Sequence, residues 1–162
     1  MIETVQLAGF VASHAIYCVS QGKTLTVPLL VLEKADGNPQ FIQITGASTQ
    51  DAVERAGELL RRPAKGVLRA VLVFEAFLNL PPAKTDAIFL QACQYQPDAQ
   101  QLHLAVPFRP PTSPDGFAVF RPKFFAYEDQ ALSADLFAAF MHGTSLHPSG
   151  HAVWVGHLNE SR

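Results

Sequence analysis

The spacing of apolar and polar residues predicts three helices. Residues 2–20 carry apolar side chains at three- and four-residue intervals, which is the spacing of one helix face. Residues 49–62 show the same spacing after Ser48, a residue type that caps helix N-termini. In this second helix we expect Val53 and Leu59 to face the core. Residues 133–143 predict a third helix, which begins at a serine and ends at a glycine.

Shorter apolar runs predict strands. Two runs flank residues 36–39 (Asp-Gly-Asn-Pro), which is a strong hairpin signal. A nearly continuous apolar run is typical of a strand buried on both faces, strict alternation indicates a half-buried strand, and an internal proline favours a sheet edge. On these grounds we predict further strands at 67–80, 85–95, 101–108 and 117–127, and a last one at 152–155.

Together these elements predict one domain of the α+β class over residues 1–162. The strands follow one another mainly through hairpin-sized links, and they do not alternate regularly with helices. We therefore expect two layers: a largely antiparallel sheet of about six strands, and about three helices packed on one of its faces. A chain of 162 residues fits a single domain and buries enough surface to fold without a metal or a disulfide.

Composition favours a protein that binds other proteins. Hydrophobic residues make up 48% of the chain and charged residues only 16%, against a usual charged fraction of about 25%. So few charges leave apolar surface exposed, and exposed apolar surface marks interaction sites. We expect a protein partner, and the simplest one is a second copy of this chain in a homodimer.

Charge and cysteine content exclude several other classes. The net charge is −2 and no strongly basic face is evident, so we do not expect nucleic-acid binding. The N-terminus lacks the basic region of a signal peptide, and no uninterrupted apolar run has the length of a membrane span, so we expect neither export nor membrane insertion. Two cysteines without a pairing pattern are typical of a cytoplasmic protein.

A histidine-rich segment near the C-terminus is the candidate metal site. The turn formed by residues 147–150 would bring His147 and His151 together, and His142 would join them from the preceding helix end. Zinc is the metal that such imidazoles would bind. His157 is excluded from the same ion, because six residues of strand separate it from His151 by roughly 20 Å. Ordinary polar loop positions explain the same histidines, and we favour that explanation.

Four charged residues are candidate binding residues. Glu75 interrupts the most apolar strand, where a buried carboxylate would need a partner. Arg109, Arg121 and Lys123 flank a proline-rich loop and would recognise an acidic partner or ligand if the flanking strands form a hairpin. For Glu75, the competing explanation is that the side chain reaches solvent. For the three cations, it is that they form a charged sheet edge that resists aggregation.

No catalytic motif accompanies these residues. His14 and Cys18 are four residues apart on the first helix and can touch, yet the sequence shows no third group to orient them as a nucleophilic pair. Phosphate-binding glycine loops, nucleophile elbows and zinc-protease motifs are absent from the sequence.

We therefore expect a small protein without enzymatic activity that acts by protein–protein interaction, in an immunity, adaptor or secretion-chaperone role. One alternative is a metal-binding protein or enzyme that uses the C-terminal histidines. A second alternative is a small-molecule binder with an aromatic pocket. The residues for that pocket would come from Phe108, Phe117, Phe120, Phe124, Phe125 and Tyr127.

Overall fold

Four helices and eight strands make up the part of the chain that the structure describes, which is residues 1–80, 83–125 and 134–161 of a computed structural model. In chain order they are α1 (Ile2–Ser20), β1 (Leu29–Lys34), β2 (Pro39–Gln43), α2 (Thr49–Arg61), β3 (Val67–Leu80), β4 (Ala83–Gln94), β5 (Gln100–Arg109), β6 (Ala118–Phe120), β7 (Lys123–Phe125), α3 (Ala134–Ser145), α4 (Pro148–His157) and β8 (Leu158–Asn159).

The strands form one mixed sheet in the order β2-β1-β3-β4-β5-β6-β8, and β7 pairs with β5 beside β6. The β6–β8 contact is parallel, whereas the other pairings are antiparallel. The predicted hairpin around Gly37 joins β1 to β2. The α+β class and the largely antiparallel sheet are confirmed, and the sheet is larger than the predicted six strands.

Alternation along β3 divides the core between the two faces of the sheet. Val71 and Val73 point to one face, where they pack in a large core with α1, α3 and α4. Ala70 and Leu72 point to the other face, where they meet α2 in a smaller core. The helices on the face of the large core are thus α1, α3 and α4, whereas the predicted helix at 49–62, α2, covers part of the opposite face.

Helix α1 is the central element of the large core. It contacts α3, α4, β3 and β4, and Gly22 ends it with a positive φ of 74°. Such a φ suits glycine, because glycine has no Cβ to clash in that conformation. By length and composition α1 could also cross a membrane, but most of it is buried inside the fold. Core packing therefore accounts for its apolar character.

Three predictions about the C-terminal region are wrong. Helix α3 does not end at Gly143 but continues to Ser145, since Gly143 serves close packing rather than termination. Residues 152–155 are not a strand, because they lie inside α4. The predicted turn at 147–150 is the start of that helix instead: Pro148 occupies its first turn, and the His147 side chain caps it.

The prediction for the buried face of α2 is also wrong at one position. Ser48 caps the helix as expected, accepting a hydrogen bond from the Asp51 amide at 3.1 Å. Leu60 is only 2% exposed, whereas the adjacent Leu59 is 48% exposed and Val53 is half-buried. The predicted serine cap of α3 and Tyr127 lie outside the described residues.

Candidate functional site

Glu75 connects a loop to the sheet. Its carboxylate accepts a hydrogen bond from the Leu25 amide at 3.0 Å, and its own amide donates to the Leu25 carbonyl. The side chain is half-buried. The interruption that Glu75 makes in an apolar strand is therefore explained by this contact, which attaches the segment before β1 to β3.

Arg109, Arg121 and Lys123 do not form one site. The Arg109 guanidinium donates to the carbonyls of Gly116 and Asp115 at 2.7 and 2.8 Å, so it holds the proline-rich loop. Lys123 pairs with Ala105, four residues along β5 from Arg109, or about 13 Å away. Arg121 is exposed between β6 and β7.

The structure separates the three histidines of the candidate metal site. His142 is exposed on α3, and His151 lies within hydrogen-bond range of the Thr144 hydroxyl, with 3.4 Å between Nδ1 and Oγ1. His147 turns instead toward α1, where its Nε2 lies 3.2 Å from the Nδ1 of His14. Among the residues described, no group of three or more His, Cys, Asp or Glu side chains could hold a metal ion.

A chain of hydrogen bonds connects α4 to Cys18 through two imidazoles. The Gly150 amide donates to His147 Nδ1 at 3.0 Å, which requires that nitrogen to be unprotonated. A neutral His147 therefore carries its proton on Nε2 and donates to His14 Nδ1. His14 in turn carries its proton on Nε2, which faces the Cys18 sulfur at 3.7 Å. These tautomers follow from the donors rather than from observed hydrogens.

This arrangement suits a structural role better than a nucleophilic one. Burial, with smaller contributions from His147 and Lys23, lowers the pKa of His14, which keeps its imidazole neutral. Burial also raises the pKa of the Cys18 thiol, against an opposing effect of Lys23. Because the thiolate is the reactive form, a raised pKa disfavours nucleophilic attack by Cys18.

Aromatic rings surround the two imidazoles and extend to the edge of the sheet. The ring of Phe41 on β2 lies 6.2 Å from Phe10 and 6.1 Å from His14, measured between centroids. His147 lies 5.5 Å from Phe10 and 6.2 Å from Tyr17. We call these five residues the histidine–aromatic cluster. Phe41 is its most accessible described member, because 46% of it is exposed.

Strand β2 is an edge strand with open backbone groups. It pairs with β1 and all five of its residues are exposed; no described strand pairs with its outer side. The Ile44 amide donates to the Pro28 carbonyl, so backbone groups at even-numbered positions face β1. The N–H and C=O groups of Phe41 and Gln43 therefore point away from the sheet.

The phenylalanines of the predicted aromatic pocket are divided between the two faces. Phe108 and Phe120 are buried, and Phe124 packs edge-on against Phe140 in the large core. Phe125 stacks on Phe89 on the opposite face. Most of these rings are core residues.

Sequence reasoning missed the partnership of His14 with His147 and the exposure of Phe41. The histidines are 133 residues apart, so no local spacing links them. The open edge of β2 depends on strand order, which local patterns do not specify. One signal was present: residues 39–43 contain no charged side chain, although charges commonly protect exposed sheet edges.

In comparisons with known proteins, no family model, no curated protein and no solved structure matches the chain.

Proposed function

We propose that this protein is a binding domain that captures an extended segment of a partner protein along the outer side of β2. The observation that carries the proposal is the pair of outward-facing peptide groups at Phe41 and Gln43 on an exposed, uncharged edge strand. Extended peptides bind such edges by adding a strand, and main-chain hydrogen bonds supply affinity.

Side chains on both faces of β2 would give the captured segment its specificity. Phe41 lies on the α1 side, where it continues the histidine–aromatic cluster, and Ile42 lies on the α2 side with 38% of its surface exposed. Alternate residues of an added strand would contact these two surfaces in turn. An immunity, adaptor or secretion-chaperone protein would use a surface of this kind.

The histidine-based alternatives have less support from the geometry. Both ring nitrogens of His147 already have partners, one in Gly150 and one in His14. A metal ion bound at His147 would have to displace the cap of α4 or the contact with α1.

Selection from a displayed library of random dodecapeptides tests the proposal. The protein should enrich peptides with alternating apolar residues, since these can add to β2 with one face toward Phe41. A Gln43→Pro variant should lose these peptides, because proline removes one outward N–H group. A Gln43→Ala variant keeps that group and should retain most of the binding.

Hydrogen exchange gives a second readout if the proline variant does not fold. A bound peptide should slow exchange of the Phe41 and Gln43 amides, while the Gln40 and Ile42 amides, which already face β1, should change less. Peptides that bind the Pro and Ala variants equally well, or the absence of any enriched peptide, would contradict the proposal.

A further inference from the structure

A cavity of about 550 Å³ opens beside the C-terminal end of β2. One wall is residues 43–45, at and just beyond the end of the strand, and the other is the second half of α2. The residues of α2 and its C-terminal cap that line it are Arg55, Glu58, Leu59, Arg61 and Arg62. The exposed Leu59 is thus part of the cavity wall.

The cavity has an excess of positive charge. Three arginines and one glutamate line it, and within the described residues no ion pair involves any of these four side chains. Arg55 donates to the Thr45 carbonyl at 2.8 Å, which holds its guanidinium just beyond the C-terminal end of β2. Arg61 and Arg62 are exposed, and neither pairs with a carboxylate among the described residues.

We propose that this cavity binds an acidic side chain of the segment that β2 captures, so that the partner is an acidic extended peptide. The inference rests on the proposed function, because the strand edge determines where the peptide lies. A residue of the added strand beside Ile42 or Ile44 on the α2 face would point toward the cavity. Arginine forms two parallel hydrogen bonds to a carboxylate, so Asp or Glu is the chemical match.

The same geometry predicts the pattern of the partner segment. Residues on its α1 side face Phe41 and should be apolar or aromatic. On its α2 side, the residue near Thr45 should be acidic. The next residue on that same side, two positions earlier or later in the segment, should be apolar so that it contacts Leu59 or Ile42. The positive charge of the cavity would therefore select the register in which the segment binds to β2, as well as the acidic residue at that position.

Fluorescence anisotropy with two matched peptides tests this inference. One is an alternating peptide enriched on the wild-type protein, with Gln at the position facing the cavity, and the other carries Glu there. The Glu peptide should bind at least about tenfold more tightly at low salt, and high salt should reduce this advantage. An Arg61→Gln/Arg62→Gln variant should lose the advantage.

Arg121→Gln provides a control, since Arg121 is an exposed arginine that does not line the cavity. It should leave the advantage of the Glu peptide unchanged. If Glu and Gln peptides bind equally while Gln43→Pro still abolishes binding, the cavity proposal fails and the strand-edge proposal stands. If the Glu peptide depends on Arg61 and Arg62 but not on Gln43, the strand-edge proposal fails instead.

Light scattering distinguishes a second copy from an acidic partner. A wild-type mass of two subunits that falls to one in the Gln43→Pro variant, but not in Gln43→Ala, would show that another copy occupies the edge. That result would overturn the acidic-partner inference. The acidic-partner inference predicts a mass of one subunit in all variants, in contrast to the homodimer that composition favoured.

Discussion

At the scale of single residues, His14 and His147 form a pair within hydrogen-bond distance of each other that joins α1 to the start of α4. Each imidazole is partly buried, and each has defined partners at its two ring nitrogens. His147 caps α4 and contacts α1 through one ring, so its neutral form links two helices. The groups that face His14 are His147, Cys18 and Lys23.

The lowered pKa of His14 predicts a loss of stability in mild acid. The unfolded chain binds a proton at His14 near pH 6.5, whereas burial keeps the folded form neutral to lower pH. Unfolding therefore takes up a proton, and the stabilisation that is complete above about pH 6.5 falls as pH drops below it. Thermal unfolding from pH 7.5 to 5.5 should show a smaller decrease for His14→Gln than for the wild type.

The control for this measurement is His142→Gln, which removes an exposed imidazole outside the pair. It should follow the wild-type pH dependence. An unchanged pH dependence in His14→Gln would show that His14 does not contribute to acid sensitivity.

At the scale of elements, glycines allow α3 and α4 to pack against the backbone of α1. A Cβ on Gly9 would lie 2.1 Å from the Phe140 carbonyl oxygen, and one on Gly143 would lie 2.0 Å from that of Gln6. A Cβ on Gly150 would lie 2.2 Å from the Ser13 carbonyl oxygen. The three helices therefore approach at distances that no larger residue permits, which explains why Gly143 lies inside α3.

Gly143→Ala and Gly156→Ala should change stability in opposite directions. The first must separate α1 from α3, and we expect a loss of about 1–3 kcal/mol or more. The second adds a methyl group in open space within α4, and a better helix former there should stabilise the fold by up to about 1 kcal/mol. Chemical denaturation measures both, and similar losses in the two variants would contradict the close packing.

At the scale of the whole molecule, two cores share one sheet. Residues of β1 and β3 contribute alternately to the large core under α1 and to the smaller core under α2. Leu30 and Leu72 point to α2, whereas Val31 and Val71 point to α1. Because both cores use the same strands, we expect them to unfold in one cooperative transition.

Leu60→Ala tests whether α2 belongs to this cooperative unit. Leu60 is fully buried in the smaller core, so its truncation should cost about 2–5 kcal/mol of unfolding free energy. Leu59→Ala should cost less than about 1 kcal/mol, because 48% of Leu59 is already exposed. Denaturation followed by both circular dichroism and Trp154 fluorescence should give coincident midpoints, and separate midpoints would show that α2 unfolds independently.

Local patterns in the sequence determined most elements. Two helices follow from near neighbours: one from the apolar spacing of residues 2–20, the other from the serine cap before residue 49. The Asp-Gly turn near residue 37 specifies the hairpin in the same way. Alternation along the later strands led to the α+β class for the same reason. These signals depend on interactions within a few residues, which is the range that a sequence pattern contains.

Tertiary structure decided what depends on distant neighbours. Gly143 is a residue type that commonly ends helices, yet here it allows close packing against the backbone of Gln6. Residues 152–155 have the apolar character of a strand, yet the cap at His147 and packing on α1 make them helical. The candidate site follows the same rule, since the open edge of β2 depends on strand order and the cavity on the placement of α2. No local pattern contains that information, because each feature requires two segments that only the folded chain brings together.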